Sequence, residues 1–343
     1  MTNLTQLPQT DPLPIFRQRD SIYATDLLGA AVAQFDFFTW LARNPTDVAG
    51  VCRAFDFHQR PVDVMLTLFC AMGLIEKRAG IFCVTEMTRE HLVSGSQWNL
   101  GPYFASLKER PVCRDFVTIL RTDKPANWGS YQDEKEWARA MEGVEFAEGF
   151  TAAMDCRGVF LGQSLARKVD LSKYSRLLDI GGGSGVYACA IASHYSHLKA
   201  AVLERSPVDG IASRKIVERG LTERVGVLNG DFFADPLPAG FDAHLFSNVL
   251  HDWDEAAVKG LLAKSHTAME PGGILIIHDM HLNSDKTGPL PVASYSALLM
   301  AVTEGRCYSV AEMELWMKES GFEGMTFEPT AADRSVITAR RMG

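Results

Sequence analysis

No pair of cysteines at a C-x-x-C spacing occurs among the seven in this chain, Cys52, Cys70, Cys83, Cys113, Cys156, Cys189 and Cys307. They are scattered and odd in number, not spaced as a disulfide framework. Most sit among apolar neighbours, where a reduced thiol behaves as a small hydrophobe. That usage fits a reducing cytoplasm, the expected location. No apolar run approaches the roughly 20 residues that a bilayer crossing requires, so no membrane partner is expected. The first fourteen residues are polar and contain prolines. They lack the basic start and apolar stretch of a secretory leader and are expected to form a loose tail. Basic residues are not in excess: 34 Lys+Arg stand against 42 Asp+Glu, a formal net charge of −8. That balance argues against general affinity for phosphate backbones or anionic membranes. Internal repeats and low-complexity segments are lacking as well. What remains, 343 residues with 47% hydrophobic and 22% charged side chains, describes a soluble globular chain with room for two domains.

Three stretches follow one another. In the first, Leu27, Leu28, Ala31, Val32, Phe35, Phe38 and Leu41 recur at helical spacing, predicting a helix from Asp26 to Ala42. A second apolar helix runs from Pro61 to Leu74, with proline at a helix start where its missing N–H costs little. Gly80–Thr85 then has a short strand pattern. Helix, helix and small hairpin describe a winged-helix unit over residues 15–100. Residues 101–170 are rich in helix formers and aromatics, including Trp128, Trp137, Phe146, Phe150 and Phe160, and are expected to be linking helices. From about residue 171 strands and helices alternate. Strand patterns begin at Leu177, Ala200, Val225, Ala243 and Ile274, and two more lie near Met325 and Ser335. Such alternation predicts an α/β, Rossmann-like, mainly parallel seven-stranded sheet covered by helices, behind an N-terminal all-α/winged-helix domain. Ligands of such sheets bind beyond the carboxyl ends of the strands.

At the first of those ends stands Asp179-Ile-Gly-Gly-Gly-Ser-Gly185. Gly181, Gly182, Gly183 and Gly185 let the backbone adopt conformations closed to other residues and let a ligand approach closely. The loop reads as a nucleotide cradle. It does not by itself choose the nucleotide, because Gly183-Ser-Gly-Val-Tyr-Ala188 also fits a dinucleotide fingerprint, which keeps a nicotinamide-dependent oxidoreductase in view. The acids discriminate. Asp179 precedes the glycines, Glu204 ends the second strand where a carboxylate can accept both ribose hydroxyls, and Asp231 follows the third, placed to accept from an adenine amino group with Phe232 packed on the ring. Three carboxylates along one rim favour a cationic sulfonium over an anionic pyrophosphate.

The fourth strand runs into Ser247-Asn-Val-Leu-His-Asp-Trp-Asp254, putting His251 just past a strand end on the ligand side. A sulfonium is already a good leaving group, so the protein's task is to place an acceptor and remove its proton. Neutral histidine suits that task. A phenol titrates near 10, so full prior deprotonation by an ordinary imidazole is uphill by roughly 5 kcal/mol. Proton loss therefore accompanies transfer, or the pocket stabilises the phenolate. Asp279, at the end of the fifth strand, is the expected orienting partner. Asp252, adjacent to His251 in sequence, is expected to point elsewhere, and it is counted with Phe150, Met154 and Met300 as lining an acceptor pocket. Asn248 is counted with the donor-binding residues. His278-Asp-Met-His281 looks ligand-rich, but its two histidines would face opposite sides of a continuing strand, so no metal is expected.

These residues resemble the class I methyltransferases, and more closely the O-methyltransferases of the caffeate and hydroxyneurosporene type. The likeness runs from about residue 24 to 341. Its most specific parts are Leu178–Gly185, Gly230-Asp-Phe-Phe233, Leu250-His-Asp-Trp253, Pro271-Gly-Gly273 and Gly305-Arg-Cys-Tyr-Ser309. The resemblance implies S-adenosylmethionine as donor and S-adenosylhomocysteine as product, with the Gly181–Gly185 loop at the methionine part, Glu204 at the ribose, and Asp231 and Phe232 at the adenine. It implies His251 as general base, Asp279 as one flanking carboxylate, and a small-molecule acceptor methylated at a hydroxyl. It further implies a homodimer formed through the N-terminal domain. The family's second flanking Glu lies in its Gly-Arg-Glu-Arg-Thr-like segment, where this chain has Cys307. That departure keeps N- or C-methylation, or an altered relative that retains the donor site, as alternatives. A DNA-binding role for the winged-helix region is disfavoured by its charge: residues 1–100 hold 8 Lys+Arg and 10 Asp+Glu, a net of 8 − 10 = −2.

Overall fold

The computed structural model describes residues 4–125 and 140–342. Trp128 and Trp137 lie outside the described residues. The chain groups into two compact units. One comprises Met1–Pro14, Trp137–Met280 and Glu312–Gly343, and the other Ile15–Glu136 and His281–Ala311. The sequence-based boundaries at 100 and 170 thus differ from this division, and residues 281–311 belong with the N-terminal stretch. The reason is packing: helix Leu290–Val302 lies on helices Ala24–Phe35, Gln59–Ala71 and Pro111–Thr122.

In the unit that starts at Ile15, the expected continuous helix from Asp26 is two helices, Ala24–Phe35 and Phe37–Arg43. They are parted at Asp36, whose φ of 44° is left-handed and ends the first helix. Helix Gln59–Ala71 leads into a two-stranded antiparallel hairpin, β1 (Ile75–Arg78) and β2 (Ile81–Val84). Among the described residues, no helix is long and apolar enough to cross a membrane.

The other unit holds the seven-stranded sheet. Its strands are β3 (Arg176–Ile180), β4 (Lys199–Glu204), β5 (Val225–Asn229), β6 (Ala243–Ser247), β7 (Ile274–Asp279), β8 (Phe322–Pro329) and β9 (Ser335–Arg341). They lie in the order β5-β4-β3-β6-β7-β9-β8. The first five are parallel, and β9 joins β7 antiparallel. Every residue of β7 is buried, which explains its unbroken apolar run. Strand order reverses between β3 and β6, the switch point where such sheets open a ligand crevice.

Helix Val144–Ala166 packs tightly on helix Val186–His194, which follows the glycine loop. Two glycines permit the approach. A Cβ at Gly158 would lie 2.3 Å from Val186 Cγ1, and one at Gly162 would lie 3.2 Å from Ala190 Cβ. Gly149, on the same helix, has open space around it. Gly158→Val therefore costs about 1–3 kcal/mol by overpacking and lowers the melting temperature. Gly149→Ala, gaining up to ~1 kcal/mol of helix propensity, raises it. Thermal denaturation of the two variants checks both signs.

Candidate active site

The carboxyl ends of β3, β4, β6 and β7 assemble the site. After β3, Gly181, Gly183 and Gly185 take φ values of 69°, 58° and 73°, all left-handed, so other residues would be strained there. Gly182 is required for a different reason: a Cβ would sit 2.5 Å from Asp179 Oδ2. The loop is also clamped from behind. Asp155, on helix Val144–Ala166, accepts from Ser184 Oγ and from the buried guanidinium of Arg219, which also donates to Ser184 O at 3.3 Å.

Asp179 is fully buried. Its Oδ2 accepts from Ala188 N–H at 3.3 Å, while its Oδ1 has no hydrogen-bond partner among the described residues. Burial, reinforced by Glu204, pushes its carboxyl up to about 7. Glu204 accepts from Gly183 N–H at 2.8 Å and Arg205 N–H at 3.2 Å, and burial pushes it to about 7 too. An orphaned buried carboxylate oxygen beside a second raised acid is a site short of positive charge, and a cationic ligand supplies what it lacks. Asn248 at the end of β6 has a φ of 54°, a conformation asparagine tolerates. It donates to Tyr187 Oη at 3.0 Å, and its buried Oδ1 also lacks a hydrogen-bond partner among the described residues.

Asp231 is differently occupied from its sequence reading. Its Oδ1 accepts from Phe233 N–H at 2.8 Å and Ala234 N–H at 3.2 Å, capping its own turn, and its Oδ2 lies 3.5 Å from Arg205 Nη1. Phe232 reaches the loop: a Cβ at Gly181 would meet its ring edge at 3.4 Å. Phe232 also belongs to an aromatic cluster with Phe233 and Trp253, centroids 4.5–6.3 Å apart, that the sequence reading did not name as a site.

A 3₁₀ turn, Leu250–Asp252, follows β6 and holds His251, which is 4% exposed. Its Nδ1–H donates to Asp279 Oδ1 at 2.5 Å, and the same oxygen accepts from Met280 N–H at 2.8 Å. A carboxylate only accepts, so the ring proton sits on Nδ1 and Nε2 is left to take another. Asp252 does not point away: its Oδ1 lies 3.5 Å from His251 Nε2. Burial alone would pull the imidazole's pKa down, but Asp279 and Asp252 outweigh it and the net direction is up. Burial pushes Asp252 up as well. Arg157, on helix Val144–Ala166, acts electrostatically on His251, Asp252 and Tyr187, and nothing in the sequence marked it.

Phe150 is half-buried and stacks on Phe146, centroids 6.5 Å apart with the rings 10° from parallel, and Met154 lies one turn further along that helix, also half-buried. Met300 and Cys307 belong to the other unit, both fully buried, with Cys307 N–H donating to Ser296 Oγ at 3.1 Å. His278 is structural: its two nitrogens lie 3.2 Å from Ser247 Oγ and 3.0 Å from Thr330 Oγ1. Among the described residues, no cluster of His, Cys, Asp or Glu is placed to hold a metal ion.

Residues 123–323 match the family of O-methyltransferase domains. The chain is an O-methyltransferase. A 3-hydroxy-5-methyl-1-naphthoate 3-O-methyltransferase of Streptomyces sahachiroi is 31% identical over 303 residues, covering 88% of this chain and 86% of that one. An L-tyrosine C(3)-methyltransferase of Streptomyces lavendulae is 33% identical over 279 residues, covering 78% and 75%. Among solved structures, an O-methyltransferase family 2 protein from Planctomyces limnophilus, in complex with apigenin, is 31% identical with a TM-score of 0.89, covering 99% of each chain. The methyl donor of this O-methyltransferase is S-adenosylmethionine. The unpartnered Asp179 oxygen and the raised Glu204 fit its positive charge, and when bound it supplies a methyl group on sulfonium.

Donor affinity consequently depends on pH. A bound cation favours ionised carboxylates, so binding releases protons from acids near 7 and is opposed at lower pH. Affinity for S-adenosylmethionine rises about ten-fold from pH 6 to pH 8 for one released proton, then levels off. Calorimetric titration across that range tests it, and a flat profile contradicts it.

Proposed function

We propose that this enzyme methylates a phenolic hydroxyl of a flat, fused-ring aromatic acceptor, with His251 as general base. One observation carries the reading: the His251 Nδ1–H bond to Asp279, at the edge of the switch-point crevice, fixes the tautomer with Nε2 as the basic nitrogen. The raised pKa of His251 narrows its gap to a phenol near 10 below the roughly 5 kcal/mol of an ordinary imidazole. Asp279 then balances the imidazolium as the phenolic proton moves to Nε2. The stacked Phe146 and Phe150, with Met154 beyond them, support a planar apolar acceptor. So do the hydroxynaphthoate substrate and the bound apigenin of two relatives.

The donor residues in this reading are Asp179, the Gly181–Gly185 loop, Glu204, Asn248 and Phe232, with Asp231 ordering the adenine-side turn. The acceptor residues in the sheet-bearing unit are Phe150, Met154 and Asp252. A C-methyltransferase relative that acts on tyrosine gives a second reading. A phenolate also activates ring carbons, so the same base serves, and the position of the methyl group in the product separates the two.

His251→Ala lowers turnover on a hydroxynaphthoate about 10²–10⁴-fold while S-adenosylhomocysteine affinity survives. Unchanged turnover rejects the base.

The N-terminal unit is further read as a winged-helix dimerisation domain in a cytoplasmic enzyme without a nucleic-acid partner. Ile15, Trp98, Leu100 and Tyr103 support a second copy as its occupant, being 75%, 57%, 50% and 80% exposed on that unit. Sedimentation is expected to show a dimer, and Trp98→Asp with Tyr103→Asp to shift it toward monomer. An unaltered dimer would place the interface elsewhere.

A further inference from the structure

The family resemblance implies two carboxylates flanking the base, and the chain has Cys307 where the second would stand. Asp279 serves the Nδ1 side of His251. On the Nε2 side the structure puts Asp252, its Oδ1 3.5 Å away. The two neighbours in sequence can face one another because they share a 3₁₀ turn rather than a strand. That turn is fixed: Asp252 N–H donates to Val249 O at 3.2 Å and Trp253 N–H to Leu250 O at 3.3 Å. The exit is fixed as well, since Trp253 packs edge-on against Phe233 at 4.5 Å. Among the described residues, the charged groups that bear on His251 include Asp279 from β7, Asp252 from its own turn and Arg157 from helix Val144–Ala166.

We propose that Asp252 is the second carboxylate of the base, a positioning residue that holds the imidazolium formed at Nε2 and so fills the role left open at Cys307. This rests on His251 acting as base. The acceptor O–H bond breaks as the Nε2–H bond forms. The electron pair stays on oxygen and makes the new bond to carbon, while the sulfonium leaves as a neutral thioether. At 3.5 Å the carboxylate is not hydrogen-bonded to a bare Nε2 lone pair, but it lies close enough to favour the ring's second proton. The Arg157 guanidinium opposes that bias.

The test needs no acceptor. The titration of His251 Cε1–H is followed by NMR in the full-length enzyme, with the resonance assigned by its loss in His251→Gln. Asp252→Asn, which keeps the shape and removes the charge, lowers the His251 midpoint by about one pH unit, and Asp252→Glu keeps it near the wild-type position. S-adenosylhomocysteine affinity is unchanged in both, which shows that they are folded. A midpoint unmoved by Asp252→Asn overturns the proposal and leaves Asp252 as a pocket wall only. Turnover on a hydroxynaphthoate separates the two claims. If His251→Gln remains active, the base reading fails whatever the titration shows. If it is dead while the Asp252→Asn midpoint is unmoved, only the role of Asp252 fails.

Discussion

A buried imidazole keeps one tautomer only if something behind it accepts a proton, and the bond from His251 to Asp279 provides that acceptor. Its geometry follows from the sheet. β6 and β7 are parallel neighbours with Ser247 opposite His278, so they end side by side, and the turn after β6 falls next to the last residue of β7. Asn248 N–H donating to His278 O at 2.9 Å extends the pairing one residue past the strand. The His251–Asp279 pair is thus placed by the backbone pairing of β6 and β7. A buried charge pair of this kind survives because its remaining valences are met, here partly by Met280 N–H.

Two pairs of acids share the crevice and do opposite things. Asp179 and Glu204 are both raised to about 7 by burial, Asp179 also by the charge of Glu204, and in the proposed reading they await a cation brought from outside. Asp279 and Asp252 flank His251, the group that the proposed reaction would turn into a cation. In the proposed reading the first pair selects the donor. The second would stabilise charge that exists only while the proton is moving, which is where stabilisation accelerates a reaction instead of merely tightening binding.

Much of this was legible in the residues, because glycine and strand–helix alternation report backbone constraints directly. The loop at Gly181–Gly185 needs left-handed backbone at three positions, and only glycine accepts that cheaply. What stayed hidden depended on side-chain direction or on partners distant in sequence. Asp231 looked like a ligand group but spends one oxygen on its own turn. Asp252 was assigned away from His251 on its adjacency in sequence alone. On a 3₁₀ turn successive side chains are only about 120° apart, so neighbours can converge. Asp36 breaks an apolar periodicity that continues across it. Helix Leu290–Val302 gave no amphipathic signal because ten of its residues, from Val292 to Ala301, are all buried. Arg157 resembled an ordinary helical surface charge.

The return of residues 281–311 to the N-terminal unit bears on how the chain can be cut and recombined. Arg60, on helix Gln59–Ala71, donates to Gly305 O at 2.8 Å and to Asp123 Oδ1 at 2.7 Å, so that helix is stitched to a segment more than two hundred residues downstream. A fragment ending before the sheet would bare the apolar faces that helix Leu290–Val302 covers. Exchanging front ends between relatives would meet the same obstacle, since the graft would have to carry its distant partner helix with it. In this family member the modular unit is a pair of chain segments, and selection on one constrains the other.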